Sequence, residues 1–327
     1  MEIINLGEKK VIASNEEAAL LDLGDGIGCL EFRSKGNSIS PLVREFILEL
    51  AGNGFNGLDG LVIGSQSKNF SVGADLFAMK KSIDEKQFDA FEKRIASFQA
   101  MTSSLKYSGK PIVAAPYKMV LGGGLEVSLH CHARVALAKT FMGLVEAGVG
   151  LIPGGGGCKE AALLIGKTPR EQREQVLVAT FEKLLLKKVS KDAAEAKLLV
   201  YLKPDDIVVE SNEELLGAAK NKCLELVRSC RSAAVEETVV LPGKSAYDFL
   251  LAHAQTLRET GLISVHDVEI GKKIARVLAG STTENEISIR ETHLLEIERK
   301  GFLELIQTQG TYDRISHFVA SGEMLKN

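Results

Sequence analysis

Two glycine tracts, at residues 122–124 and 154–157, constrain this chain more than any other feature of its sequence. The apolar run PIVAAP at residues 111–116 precedes the first tract and has the composition of a buried strand. The segment LEVSL at residues 125–129 follows the tract and opens a predicted helix. Adjacent glycines cost conformational entropy, and they are expected where a backbone is approached closely with its N–H groups directed at a ligand. The pattern therefore predicts a ligand-binding turn beside a helix N-terminus.

A carboxylate accompanies each glycine tract. Glu126 lies in GGGLEVSL, and Glu146 lies in MGLVEAG at residues 142–148. Two acidic side chains in glycine-rich apolar surroundings are unusual for a protein core, so they are candidates for an acid/base pair. Taken alone, either glutamate could equally be a capping or salt-bridged carboxylate.

Three segments occur in an order that is typical of one family: SKNFSVGADL at 67–76, GGGLEVSL at 122–129 and MGLVEAGVGLIPGGGG at 142–157. They resemble the signatures of the crotonase (enoyl-CoA hydratase/isomerase) superfamily, and the resemblance covers about residues 16–165. The rest of the chain more loosely resembles the hydratase module of bacterial bifunctional proteins that also carry a 3-hydroxyacyl-CoA dehydrogenase. The resemblance implies an α/β fold, a crotonase-type spiral of ββα repeats with a helical C-terminal region.

The resemblance also assigns roles to individual residues. The backbone amides of Ala74 and Gly123 match the two donors of an oxyanion hole for the thioester. Glu126 and Glu146 match the two catalytic glutamates. The other matched positions bind the substrate or help to hold the reacting water: Asp75, Leu76, Gly122 and Gly154.

These roles imply an enoyl-CoA hydratase that adds water, in the syn sense, to 2-enoyl-CoA and forms 3-hydroxyacyl-CoA in fatty-acid β-oxidation. One backbone donor at a developing enolate is worth about 2.7–4 kcal/mol. Family members that only shift a double bond often retain one of the two glutamates, so the pair favours a hydratase. The alternatives are an enoyl-CoA isomerase and a non-catalytic acyl-CoA-binding module. No cofactor is expected, because coenzyme A is part of the substrate.

Some positions depart from the family pattern. Cys158 and Lys159 stand where many relatives have Thr-Gln-Arg, and residues 77–79 lack the commonest continuation. These departures leave the preferred acyl-chain length open. His130, Cys131 and His132 do not form a predicted metal site, because residues one and two apart do not share a helical face.

The composition limits the possible binding partners and the cellular compartment of the protein. The formal charge of −3 and the pI of about 6.1 give no bulk attraction to nucleic acid or to an anionic membrane. Five scattered cysteines without a CxxC pair favour a reducing compartment. The first 20 residues are rich in charge, and no apolar run reaches transmembrane length. We therefore expect a cytoplasmic protein.

The predicted domains are a leader or linker at 1–15, a crotonase core with the acyl-CoA site at 16–240 and a helical region at 241–327. The predicted elements include a hairpin of two short strands at 18–32, a helix that starts at 38–41 with a serine cap and an early proline and continues to residue 50, and a wholly apolar strand at 60–64. They also include a helix at 84–106, a short strand at 199–202, a helix at 212–232 and three or four amphipathic helices from Ser245 onward. Apolar helix faces after Ser245, together with the resemblance, imply a homo-oligomer, a trimer or hexamer.

No strand–GxGxxG–helix unit occurs, so we expect a separate or fused 3-hydroxyacyl-CoA dehydrogenase as partner.

Overall fold

The structure, a computed structural model, describes residues 2–229 and 235–327. Cys230, one of the predicted thiols, lies outside the described residues. The strands are β1 (Val11–Ser14), β2 (Ala18–Asp22), β3 (Ile27–Phe32), β4 (Gly60–Ile63), β5 (Ile112–Ala114), β6 (Lys118–Leu121), β7 (Ala133–Leu137), β8 (Thr140–Gly143), β9 (Ile207–Val209), β10 (Thr238–Leu241) and β11 (Ile287–Arg290).

The α-helices are α1 (Pro41–Gly52), α2 (Leu76–Asp84), α3 (Phe88–Lys106), α4 (Gly123–Leu129), α5 (Gly157–Lys167), α6 (Arg173–Leu185), α7 (Ala193–Leu198), α8 (Asn212–Arg228), α9 (Lys244–Glu259), α10 (Val265–Ala279), α11 (Glu291–Ile306) and α12 (Gln309–Ser321). No helix in the described ranges is both long and apolar enough to cross a membrane. The chain forms two compact units, each assembled from three separate stretches.

The first unit contains the described residues of 1–75, 100–143 and 189–235. Its seven-stranded sheet has the order β1-β2-β3-β4-β5-β7-β9, antiparallel from β1 to β3 and parallel from β3 onward. The predicted hairpin at residues 18–32 is confirmed, with Gly24, Asp25 and Gly26 all at positive φ in its turn. Every residue of β4 and β5 is buried, as expected of parallel strands covered on both faces.

A short parallel pair, β6 with β8, lies in the same unit and leads into the first glycine tract. Ser40 caps α1 by accepting a hydrogen bond from the Val43 N–H, and Pro41 occupies the first turn, as the sequence predicts. Residues 52–57 spell GxGxxG between the end of α1 and β4. Because this segment runs from a helix into a strand, it is not a dinucleotide-binding turn.

The second unit contains residues 76–99, 144–188 and 236–327. The helix α10 lies at its centre and packs against α5, α6, α9 and α11. Its apolar side chains are fully buried: Ile270, Ile274, Val277 and Leu278. Of the three or four helices predicted after Ser245, the described residues form four, α9 to α12. The apolar side chains of α10 are covered within the unit by α5, α6, α9 and α11. The faces are therefore not free for a second copy, and the oligomeric state stays a prediction.

Several sequence-based boundaries are wrong. The helix predicted at 84–106 is α3, which begins four residues later at Phe88, because α2 ends at Asp84 and Lys86 adopts a positive φ between the two helices. Residues 199–202 form turns instead of a strand, since Val200 also has a positive φ, and the strand follows at β9. Residues 11–14 of the predicted leader form β1. The helix predicted at 212–232 ends at Arg228 with Ser229 as its C-cap, and residues 230–232 of that prediction lie outside the described residues. The domain division at residue 240 stays a prediction.

Candidate active site

The first glycine tract adopts backbone geometry that only glycine accommodates well. Gly122 has φ 51° and ψ −127°, and its N–H donates to the Gly143 carbonyl at 2.9 Å. A Cβ at Gly124 would lie 2.4 Å from the Ser71 Cβ, closer than two carbon atoms can approach. The tract therefore lets α4 begin directly against the segment that contains Ser71.

The segment from Ser71 to Asp75 runs beside this tract. The Ser71 N–H donates to the Met119 carbonyl at 3.1 Å, and the Leu121 N–H donates to the Ser71 carbonyl at 3.0 Å. Gly73 has φ 91°, and a Cβ there would lie 3.5 Å from the Gly123 nitrogen. The structure thus brings the backbone just before Ala74 next to Gly123.

The predicted oxyanion donors therefore belong to adjoining backbone segments of the first unit. Gly123 is the first residue of α4, so its N–H lies outside the intrahelical hydrogen bonds. Ala74 and Asp75 are exposed, whereas Gly122 and Gly123 are buried. Two N–H groups on adjoining turns can both be directed at one oxygen atom of a ligand.

Glu126 lies in the same unit, three residues after Gly123 in α4. Its side chain is 1% exposed, so the carboxyl group is removed from bulk solvent. Its main-chain carbonyl oxygen lies 2.6 Å from His130 Nδ1, and Ile112 N–H donates to His132 Nδ1 at 3.0 Å. The two histidines therefore contact the backbone, consistent with the structural role that the sequence favours for them.

Glu146, Leu76 and Gly154 lie in the second unit. Leu76 begins α2 and is half-buried. Glu146 opens a 3₁₀ turn, Glu146–Val149, that ends at Gly150 with φ 86°. The Glu146 side chain is partly exposed, but its Oε2 atom is buried and has no hydrogen-bond partner among the described residues.

The surroundings of Glu146 favour its protonated form. Burial raises its pKa to about 7, and the negative charge of Glu298 also raises it. Hydrogen bonds from the nearby backbone act in the opposite direction. A carboxyl group that titrates near neutral pH can both donate and accept a proton under physiological conditions. Glu146 is therefore chemically suited to general acid catalysis.

The second glycine tract is held by side chains of α3 and α11. A Cβ at Gly154 would lie 3.1 Å from Phe302, and a Cβ at Gly155 would lie 2.5 Å from Phe98. Glu298 is fully buried, and its two oxygens accept hydrogen bonds from the N–H groups of Gly156 at 2.7 Å and Lys159 at 2.9 Å. A carboxylate at this position stabilises the first turn of α5.

Lys159, which departs from the family pattern, belongs to the same buried cluster. Its ammonium group is fully buried and pairs with Glu291 at 2.7 Å and Glu160 at 2.5 Å. No local pattern in the sequence indicates Glu291 or Glu298, because they contact residues more than 130 positions earlier in the chain. The four cysteines that the structure describes are buried: Cys29, Cys131, Cys158 and Cys223.

Replacing Glu146 with glutamine is expected to stabilise the protein above neutral pH. The pKa is 4.5 for an ordinary glutamate and about 7 in the folded protein, so the folded state binds this proton more tightly. Raising the pH through this window therefore lowers the stability of the wild type, and glutamine removes the loss. We expect a gain of about 3 kcal/mol at about pH 8 and almost none at about pH 4.

Thermal unfolding across this pH range measures the effect, with Glu45→Gln on the exposed face of α1 as the matched control. A gain that does not change with pH would show that the Glu146 carboxyl titrates normally.

Sequence comparisons show which known proteins this chain is similar to. A model of the enoyl-CoA hydratase/isomerase family matches residues 59–168. A Bacillus subtilis protein named "Probable 3-hydroxyacyl-CoA dehydrogenase" is 39% identical over 320 residues, which cover 98% of this chain and 40% of that protein. A "Putative fatty acid oxidation complex trifunctional enzyme" from Rickettsia prowazekii is 27% identical over 96% of this chain and 40% of its own length. The chain thus spans about 40% of the length of these relatives.

Solved structures share the fold. A carnitinyl-CoA dehydratase from Mycobacterium thermoresistibile aligns with a TM-score of 0.66 at 15% identity, covering 94% of this chain and 91% of that one. An enoyl-CoA hydratase from Bacillus halodurans aligns with a TM-score of 0.60 at 16% identity, covering 92% and 99%. At these identities the likeness shows the fold alone, and it confirms the predicted crotonase-type α/β architecture.

Proposed function

We propose that the protein is an enoyl-CoA hydratase, because residues 59–168 match a model of the enoyl-CoA hydratase/isomerase family and the chain has the crotonase fold. It adds water, in the syn sense, to 2-enoyl-CoA and releases 3-hydroxyacyl-CoA as a step of fatty-acid β-oxidation. The observation that carries this proposal is Glu126. Its carboxyl group is buried and lies on the same short helix as Gly123, the proposed oxyanion donor, so the site has a second carboxyl group besides Glu146.

The proposed reaction gives each residue one task. The thioester carbonyl accepts hydrogen bonds from the N–H groups of Ala74 and Gly123, which stabilise the enolate that forms. Residues that contact the pantetheine arm and the water are Asp75, Leu76, Gly122 and Gly154. Because the donors belong to the main chain, the side chains at these turns can be small. Small side chains leave room for the acyl thioester.

Glu126 removes a proton from water as the water oxygen bonds to C3 of the substrate, and the electrons of the double bond move onto the thioester. Glu146 then delivers a proton to C2. The raised pKa of Glu146 supports this division of roles, because the group is protonated in about half of the molecules near neutral pH. Each positioned acid or base typically contributes about 10²–10⁴-fold to the rate.

The expected partner is a 3-hydroxyacyl-CoA dehydrogenase, as a fused domain or a separate protein. Two observations support this. The Bacillus subtilis relative carries that name, and the present chain aligns with 40% of its length. The GxGxxG at residues 52–57 runs from a helix into a strand, so it is not a strand–GxGxxG–helix unit for NAD. The product of hydration, a 3-hydroxyacyl thioester, is the substrate of such a dehydrogenase.

Turnover of matched substrates tests the proposal. The purified protein, given 2-enoyl-CoA of short, medium and long chain, is expected to form 3-hydroxyacyl-CoA faster than it converts 3-enoyl-CoA to 2-enoyl-CoA. Faster consumption of 3-enoyl-CoA would favour the isomerase. Binding of acyl-CoA without turnover of either substrate would favour the non-catalytic module.

A further inference from the structure

Two buried side chains of α12 contact the turn that carries Glu146. Arg314 is 1% exposed, and its Nη1 atom donates to the Ala147 carbonyl at 2.7 Å. Thr311 is fully buried, and its hydroxyl donates to the Gly150 carbonyl at 2.6 Å. The two residues lie three positions apart and therefore share one face of the helix. Their contacts lie on either side of the 3₁₀ turn that Glu146 begins.

Arg314 is itself fixed by three acceptors. Its guanidinium group donates to Asp267 Oδ1 at 2.7 Å, to Ser264 Oγ at 2.9 Å and to Asn327 Oδ1 at 2.7 Å. Asp267 and Ser264 also form the capping box at the start of α10. The position of the guanidinium group is thus determined by α10 as well as α12.

Thr311 is fixed in a similar way. Its hydroxyl oxygen lies 3.0 Å from His266 Nε2 and accepts a hydrogen bond from the Thr308 hydroxyl at 3.0 Å. Gly150 has φ 86°, and a Cβ there would lie 2.7 Å from the Thr311 Cα. The backbone of the turn therefore lies directly against the backbone of α12, and no larger residue than glycine fits between them.

We propose that Thr311 and Arg314, here called the α12 clamp, are positioning residues for Glu146. The Oε2 atom of Glu146 has no hydrogen-bond partner among the described residues, so the turn must determine where this atom lies. The clamp holds that turn through the carbonyls of Ala147 and Gly150. This inference rests on the proposed function, in which Glu146 is the acid.

The clamp makes a kinetic prediction. Arg314→Met and Thr311→Val are each expected to lower kcat by about 10- to 100-fold and to change KM by less than about twofold, since a displacement of about 1 Å at a reacting group has an effect of this size. Thr311→Ser keeps the hydroxyl group and is expected to retain most of the wild-type kcat. If Arg314→Met does not fold, the comparison of Thr311→Val with Thr311→Ser still tests the positioning role.

A second readout does not require activity. The ¹³C carboxyl signal of Glu146, identified by its loss in Glu146→Gln, reports the pKa of that group by NMR titration. The charged or titratable groups near the turn are Glu298 of α11, Arg314 of α12, Asp267 and His266 of α10, Lys187 after α6 and Lys326 after α12. If the clamp positions the turn, Arg314→Met admits water and lowers the pKa of Glu146 toward its ordinary value. If Arg314 acted only through its charge, the loss of a cation would raise that pKa instead.

Asp206→Asn is the matched control, because Arg134 and Asp206 form another buried ion pair in the first unit. It is expected to lower Tm without changing kcat or the Glu146 titration. In the folded Arg314→Met and Thr311→Val variants, an unchanged or raised pKa of Glu146 would overturn the clamp. A wild type that converts no enoyl-CoA would overturn the proposed function alone, because the NMR readout still tests the positioning of Glu146.

Discussion

Replacing either Glu126 or Glu146 with glutamine is expected to lower hydratase turnover at least about a hundredfold and to leave thioester binding nearly unchanged. Glutamine preserves the size and much of the hydrogen bonding of glutamate, but it cannot exchange the proton that hydration requires. The loss corresponds to about 3–5 kcal/mol of acid/base assistance at each site. Steady-state kcat and the Kd for a non-reactive acyl-CoA measure the two quantities separately.

The double variant, Glu126→Gln with Glu146→Gln, tests whether the two carboxyl groups act together. Its loss is expected to be smaller than the product of the two single losses, because residues that act as a unit are not additive. Glu45→Gln, on the exposed face of α1, is the control for a change of charge alone. If only Glu146→Gln is damaging, and the protein consumes 3-enoyl-CoA faster than it hydrates 2-enoyl-CoA, the protein is an isomerase. If neither change matters, both glutamates are structural.

The second large effect is expected at Gly123. Proline is tolerated at the first position of a helix, and Gly123 has that position in α4. Gly123→Pro therefore removes one N–H group from the proposed oxyanion hole while the helix can still begin at the same residue. Loss of one such donor typically lowers kcat by about 10²–10³-fold. Gly123→Ala adds a side chain but keeps the N–H group, so it is the matched control.

Circular dichroism and thermal unfolding establish that both Gly123 variants fold. If Gly123→Pro and Gly123→Ala, both folded, have equal kcat values, the Gly123 amide does not stabilise the enolate. A large loss in Gly123→Pro alone would support the proposed donor.

The parts of the fold that follow from local chemistry could be predicted. The all-apolar strand β4, the hairpin turn at Asp25 and the serine cap of α1 each depend on residues within a few positions. The break between α2 and α3 could not, because Lys86 adopts a left-handed conformation that its residue type does not signal. Likewise, the apolar residues at 199–202 form a turn and a bend in which Tyr201 and Leu202 are buried and Val200 is exposed, and their composition resembles that of a short strand.

Some residues of the candidate site could likewise be predicted from local patterns, and others could not. Glycine at position 124 is explained by its close approach to Ser71, and the tract was visible in the sequence as a local pattern. Glu298, Thr311 and Arg314 were not visible, since each acts on backbone 139 to 167 positions away and lies in an ordinary amphipathic helix. Side chains that support a site from distant helices carry no spacing that distinguishes them from core residues.

The central claim is that the protein adds water to a carbon–carbon double bond, and isotopically labelled water tests it most directly. The protein is incubated with 2-enoyl-CoA in water that carries a heavy oxygen isotope, and the product is analysed by mass spectrometry. We predict a 3-hydroxyacyl-CoA that has gained one water molecule with the labelled oxygen on C3, formed by the wild type and at least about a hundredfold more slowly by Glu126→Gln. An acyl-CoA product with the mass of the substrate and no labelled oxygen would contradict hydration.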